Sequence, residues 1–327
     1  MSISRRQALA GAAALGWSGW TSQAMAQGAW PTMPIRVISP GSAGGGSDIL
    51  VRCLEAWLGG RLGQSIFIEN HPGAAGMVAA GIASTARPDG YTFFVSSAGT
   101  NGVAVHLYKK LTFDPKKDLP AVARIATLTN ALAVRSDSGI NSVADFVAYV
   151  RANPKKAFFG SAGNGTSAQL GALLLGQRIG VEMSHIPYKG TGANLNALLA
   201  GEILFSMDNL FLYSQHVKAG TLKLLAVTSK TRSPFYPDLP TLQESGIPDF
   251  DITSWYGLSA ATGTPQPIID RMSKEIVAGL GDPTVMDKIR SIGAEPAPMS
   301  AREYADFIVS ESPKWEALVK LAGAKID

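Results

Sequence analysis

Pro40-Gly41-Ser42-Ala43-Gly44-Gly45-Gly46-Ser47-Asp48 is the stretch whose reading decides the fold. An apolar run, Ile35 to Ser39, leads into it and reads as a buried strand. Beyond it, Ile49, Leu50, Val51, Trp57 and Leu58 recur at helical spacing as far as Leu62. The chain therefore turns from strand to helix through glycines, with Ser47 or Asp48 as the expected N-cap. Bare backbone N–H groups at the positive end of a helix make a seat for a small anion.

Working outward, the same alternation repeats. A second strand is expected over 65–69, then a small-residue loop from His71 to Gly76, a helix as far as Ala86, a Pro88-Asp89-Gly90 turn and a strand over 91–96. The pattern restarts with strand-like runs over 121–135 and a helix over 142–151 capped by Ser142. Strands follow over 157–160, 183–186, 204–207 and 224–228, with helices over 166–179 and 191–200. A strand over 255–260 leaves this second unit, and two long helices, 266–280 and 301–321, end the chain. Strands separated by helices of 10–15 residues indicate right-handed βαβ units and mostly parallel sheets. The reading is an α/β chain of two lobes, 27–129 with 252–327 and 130–251, with a ligand cleft between them. A chain of 327 residues suits two domains better than one core.

Residues 1–26 read as an export signal: Arg5 and Arg6, an apolar stretch over 8–20 too short to span a bilayer, and an Ala24-Met25-Ala26 cleavage site. Ser4-Arg5-Arg6-Gln7-Ala8-Leu9 is similar to a twin-arginine signal, although Ala8 stands where that pattern has Phe; an ordinary secretory signal is the alternative. The expected location is periplasmic, with no lipid anchor and no direct membrane insertion. Of the formal charge of +4, Arg5 and Arg6 supply two, which leaves little general attraction for nucleic acid. Cys53 is the single cysteine, so no internal disulfide forms, and its place in an apolar helix makes it core filling.

Ligands of open α/β sheets bind at the carboxyl ends of strands. Four turns there are rich in small polar residues. The first supplies Gly41, Ser42, Ala43, Gly44, Gly45, Ser47 and Asp48, and the second Ser97, Ala98 and Thr100. The third supplies Ser161, Gly163, Asn164, Gly165, Thr166 and Ser167, and the fourth Tyr188, Lys189 and Gly190. Asp208 follows a further strand. Lys189 reaches a ligand carboxylate or points to solvent; Trp255 walls the pocket or packs at the crossing strand. Gly45→Val is expected to weaken binding, by blocking amide approach and by opposing the turn geometry.

Enzyme signatures are missing from the sequence. No lysine follows Gly46 or Gly165 as a phosphate-binding loop requires, no G-x-G-x-x-G opens the first helix, and no G-x-S-x-G occurs. His71, His106, His185 and His216 have no zinc spacing; His71 lies in a loop and the others read as surface or packing residues. No metal or cofactor is expected.

The chain resembles the substrate-binding receptors of tripartite tricarboxylate transporters, the Bug family of periplasmic proteins. The matching stretches include Pro40 to Asp48, Glu69 to Ala74, Pro88-Asp89-Gly90-Tyr91-Thr92, Gly160 to Ser167, Ile186-Pro187-Tyr188-Lys189-Gly190, Asp208-Asn209 and Thr253 to Leu258. The resemblance implies a type II-like, two-lobed periplasmic binding fold that closes on a small carboxylate. It implies that the loops Gly41 to Asp48 and Ser161 to Ser167 hold the ligand, with Asp208 and the Ser96 to Thr100 turn completing the cleft. It implies a monomer that delivers its ligand to permease subunits; a co-receptor for a sensor kinase is the alternative, and an enzyme using Asp208 and Lys189 a more remote one. Two departures stand out. His71 replaces the arginine of the family's N-R-P-G, and Gly41 replaces an aromatic residue.

Overall fold

The computed structural model describes residues 30–323, so the expected export signal lies outside the described residues. Two mixed sheets form the frame. The first has six strands and the second five.

In the first lobe β1 (Ile35–Ser39) pairs in parallel with β2 (Ile66–Asn70) and β3 (Thr92–Ser97). Helix α1 (Gly46–Leu62) connects β1 to β2, and α2 (Met77–Ser84) lies between β2 and β3. α1 ends at Gly63, whose φ of 70° suits the residue that closes a helix. β4 (Ala121–Thr129) runs antiparallel to the long β10 (Thr253–Ala260), which also pairs with β3. In the second lobe β6 (Phe158–Ser161) pairs in parallel with β7 (Ser184–Pro187) and β8 (Phe205–Ser206). β5 (Ala131–Arg135) runs against β8 and β9 (Leu222–Val227). Helices α3 (Val143–Ala152), α4 (Ser167–Ile179) and α5 (Thr191–Ala200) complete it.

The strand order fixes where a ligand fits. β1 lies between β2 and β3, so the chain leaves β1 to one side and later returns on the other. β6 lies between β7 and β8 in the same way. The carboxyl end of a strand flanked like this is a topological switch point, where adjoining loops diverge and open a crevice. The stretch Pro40 to Gly45 follows β1 and the loop Ala162 to Thr166 follows β6.

Expected boundaries shift by one or two residues in most strands, whereas α5 and the last helix, α8 (Ala301–Leu321), match their expected limits. Several elements went unread: α7 (Pro283–Ser291) and the edge strand β11 (Ala294–Met299), which follow α6 (Gln266–Gly279), and the short helices Ala104–Leu107, Pro115–Asp118 and Ser214–Lys218. α8 starts from a Ser300/Glu303 capping box and carries buried Tyr304, Ile308 and Trp315. These side chains belong to the same apolar cluster as Phe146, Phe159 and Leu170 of the second lobe, so the core runs continuously past the crossing strands. Cys53 is buried, as its spacing implied, and burial raises its thiol pKa. Among the described residues no helix is long and apolar enough to cross a membrane.

Candidate functional site

Both switch-point loops face one cavity of about 760 Å³, within the size range of small-molecule pockets. Gly41, Ser42, Gly45 and Ser47 line it from the first loop, Ser97 and Ala98 from the turn after β3. Gly163, Asn164, Thr166 and Ser167 line it from the second, joined by Tyr188, Lys189, Gly190 and Asp208. The structure therefore gathers four expected turns around one space. It also adds Ala74 and Ala75 from the loop after β2, Tyr108, Thr191, Asn209, Ser254 and Tyr256.

The remaining expected residues do not line the cavity. Asp48 is buried and neither caps α1 nor faces the cavity. The helix begins two residues earlier, with Gly45 as an N-cap that has no side-chain cap. Asp48 instead clamps the loop. Its Oδ2 accepts the Gly44 amide (3.0 Å), and both its oxygens accept from Arg52 (2.9 and 3.1 Å). Burial raises the Asp48 pKa, but Arg52, Gly44 and Asn70 outweigh it and hold the carboxyl below its usual range. Ser47 Oγ pairs with Ser39 Oγ at 2.9 Å, and Asn70 Nδ2 donates to Gly41 O at 3.0 Å. Ala43 and Gly44 stand outside the cavity wall, Gly44 at a φ of 75° that favours glycine. Thr100 forms a capping box with Ser97, opening the π-helical turn Ala98–Val103.

Gly41 and Gly45 are glycines for want of space. A Cβ at Gly41 would lie 2.5 Å from Ser47 Oγ, and one at Gly45 would lie 3.0 Å from the Ser42 carbonyl oxygen. Gly45 has an extended φ of −79°, so the expected conformational objection to Gly45→Val does not apply; the steric one does.

Trp255 faces the other way. It is buried and packs edge-on against Tyr304 (5.7 Å) and Phe307 (5.5 Å), while its neighbours Ser254 and Tyr256 line the cavity. Strand alternation dictates this. Ser161 and Gly165 are buried behind the second loop. Gly165 closes the cavity's back: at φ 82°, its Cβ would lie 2.6 Å from Leu107 of the first lobe.

The cavity floor is polar. Asp208 accepts Nδ2 of Asn194 (3.2 Å) and the amide of Asn209 (2.8 Å). Burial raises its pKa against these donors. Its own amide donates to Tyr213 Oη, which donates to Ser206 Oγ. The Oδ1 atoms of Asn194 and Asn209 are buried without a partner. Burial, then nearby Asp208, push the Tyr256 phenol up to about 12, so it stays a neutral donor. Lys189 is the one cationic side chain lining the cavity among the described residues, and it is exposed. No group of three or more His, Cys, Asp or Glu is placed to hold a metal among those residues.

Positive charge comes instead from backbone. α1 and α5 approach the cleft from opposite lobes with their N-termini, at Gly45 and Gly190, and neither has a side-chain cap. A Cβ at Gly45 would lie 3.8 Å from Thr191 Oγ1, and one at Gly190 would lie 3.1 Å from Ser42 Oγ. First-turn amides have no intrahelical acceptor, so each terminus carries partial positive charge toward the gap. α4 points there too, capped by Thr166, whose Oγ1 accepts the Gln169 amide.

Residues 50–324 match the model of the tripartite tricarboxylate transporter family receptor, and the chain belongs to that family. It is 29% identical to protein BugT of Bordetella pertussis over 91% of each chain. Among solved structures it is similar to Rpa4515 of R. palustris with adipate, at 34% identity and a TM-score of 0.88, covering 91% of this chain and 100% of that one. It is also similar to MatC of Rhodopseudomonas palustris with bound malate, at 31% identity and a TM-score of 0.82, covering 89% and 100%.

Proposed function

We propose that this protein is a periplasmic receptor that captures a small organic carboxylate between its lobes and passes it to the membrane subunits of a tripartite tricarboxylate-type transporter. The observation that carries the reading is the pair of uncapped helix N-termini, Gly45 and Gly190, meeting across the cavity. A carboxylate between them accepts backbone N–H groups from both lobes at once, so its binding energy favours the closed arrangement. Its remaining part rests on the polar floor of Asn209, Tyr256 and Asp208. The adipate and malate held by the two related proteins support a ligand of this size and charge. Closure is about the two crossings, near Asn130 and Thr253. There Asn130 Nδ2 donates to Ser167 Oγ (3.0 Å), and Ser167 Oγ lies 2.6 Å from Ser254 Oγ.

The test is a thermal-shift screen with mono-, di- and tricarboxylates and their amides. At about 100 times its dissociation constant, the right acid adds about 2.7 kcal/mol of stability. Absence of any shift from a ligand-free preparation overturns the carboxylate reading. Loss of uptake of that acid in cells lacking the gene separates transport from a signalling role.

A further inference from the structure

His185, at the second residue of β7, stands behind the second cavity loop and does not line the cavity. It is half-buried, its ring stacked on Phe159 at 4.9 Å with 28° between planes. Its hydrogen bonds can be assigned from a fixed point. The Gly165 backbone N–H can only donate, and it donates to Gln169 Oε1 at 2.6 Å. That orients the Gln169 amide, so its Nε2 donates to Asn164 Oδ1 (3.3 Å) and to His185 Nδ1 (3.2 Å). A proton on Nδ1 would face another N–H, so the ring proton sits on Nε2. Nε2 lies 2.7 Å from Ser161 Oγ and donates to it. Ser161 Oγ in turn donates to Gly163 O (2.8 Å) and accepts the Gly163 amide (3.2 Å).

We propose that His185, held as its Nε2–H tautomer, is the positioning residue of the second ligand loop, acting through Ser161 on Gly163 and through Gln169 on Asn164 and Gly165. Every polar atom of the ring and of the Gln169 amide is used, and each bond specifies the direction of the next. The Gly163 and Gly165 amides are spent inside the loop. The donors left for a ligand include those at the start of α4, whose place the network sets. The first loop is held by an ion pair, Asp48 with Arg52; the second is held by a neutral chain. The effect on affinity rests on the carboxylate reading, whereas the order of the loop does not.

The experiment follows amide hydrogen exchange in ligand-free protein. His185→Phe keeps the stack and loses both hydrogen bonds. We expect the Gly163 and Gly165 amides to exchange about tenfold faster, with the Gly44 amide unchanged. His185→Gln, which keeps a donor toward Ser161, restores protection at Gly163. Adipate, if wild type binds it, binds His185→Phe about tenfold more weakly. Unchanged exchange at both glycines in a folded His185→Phe variant overturns the proposal. Long-range proton–nitrogen spectra of wild-type His185 decide it even if the variant does not fold: a bare Nδ1 supports it, and a protonated Nδ1 overturns it. If no carboxylate binds, the receptor reading fails while the exchange and tautomer results still decide this one.

Discussion

Gly190 of the second lobe opens α5 directly opposite Ser42 of the first, and a Cβ on Gly190 would lie 3.1 Å from Ser42 Oγ. Its φ of 97° is a conformation that side chains rarely adopt. Gly190→Ala therefore combines backbone strain with a wedge at the cleft mouth. We predict a stability loss of about 1–2 kcal/mol and ligand affinity reduced about tenfold or more. Denaturant unfolding and calorimetric titration measure the two; an alanine variant that binds like wild type would show that the lobes do not need this approach.

Asp48 clamps the first loop and does not line the cavity. Asp48→Asn removes the hydrogen-bonded carboxylate of Arg52, leaving it only the more distant Glu55, and weakens the hold on the Gly44 amide. The expected cost is about 1–3 kcal/mol, with weaker ligand binding through a loosened first loop. The Asp48 pKa is depressed in the folded state, so its contribution is present above the ordinary aspartate range and is lost as pH falls through the lower, folded value. Asp48→Asn should accordingly unfold less steeply with acid below pH 3.8, the ordinary value. An acid limb identical to that of wild type would contradict the clamp.

Lys189 provides a contrast. If backbone amides carry the carboxylate, an exposed lysine adds at most about 1 kcal/mol. Lys189→Met should lower affinity by less than about tenfold and flatten its salt dependence. A loss of a hundredfold or more would move the anion site onto the lysine.

His185 gives a second pH window. Burial pushes its pKa from 6.5 down to about 4. Between those values the unfolded chain takes up a proton that the folded chain refuses, so stability falls as pH drops from 6.5 toward 4 and then levels. His106 is also lowered by burial and acts in the same direction. The His185→Gln variant should therefore lose about one proton's worth of slope, roughly 1.4 kcal/mol per pH unit at most. Urea midpoints at several pH values measure it; an unaltered slope contradicts a neutral His185.

Much of this was legible in the residues. The strand, glycine turn and helix from Ile35 to Leu62 read directly, because the apolar period changes across one loop. Strand order did not read, because local periodicity says nothing of which strand lies beside β1, and the two switch points follow only from that order. β11 escaped because Pro296 and Pro298 look like loop; prolines are tolerated at a sheet edge, where β11 lies. Trp255 was readable in principle. Ser254 and Tyr256 share one face of β10 and Trp255 the other, but the period alone does not say which face meets the cleft. His185 carried no local signal, since its partners Ser161 and Gln169 are 24 and 16 residues away in sequence.

The most direct test of the central claim is a proton–nitrogen titration of the purified protein with the acid found in the thermal-shift screen. The account predicts that the amides of Gly46 and Thr191, at the two facing helix N-termini, shift downfield together and saturate at one equivalent, in wild type and in Lys189→Met alike. Amides that stay in place while the acid binds would contradict it and place the carboxylate elsewhere in the cavity.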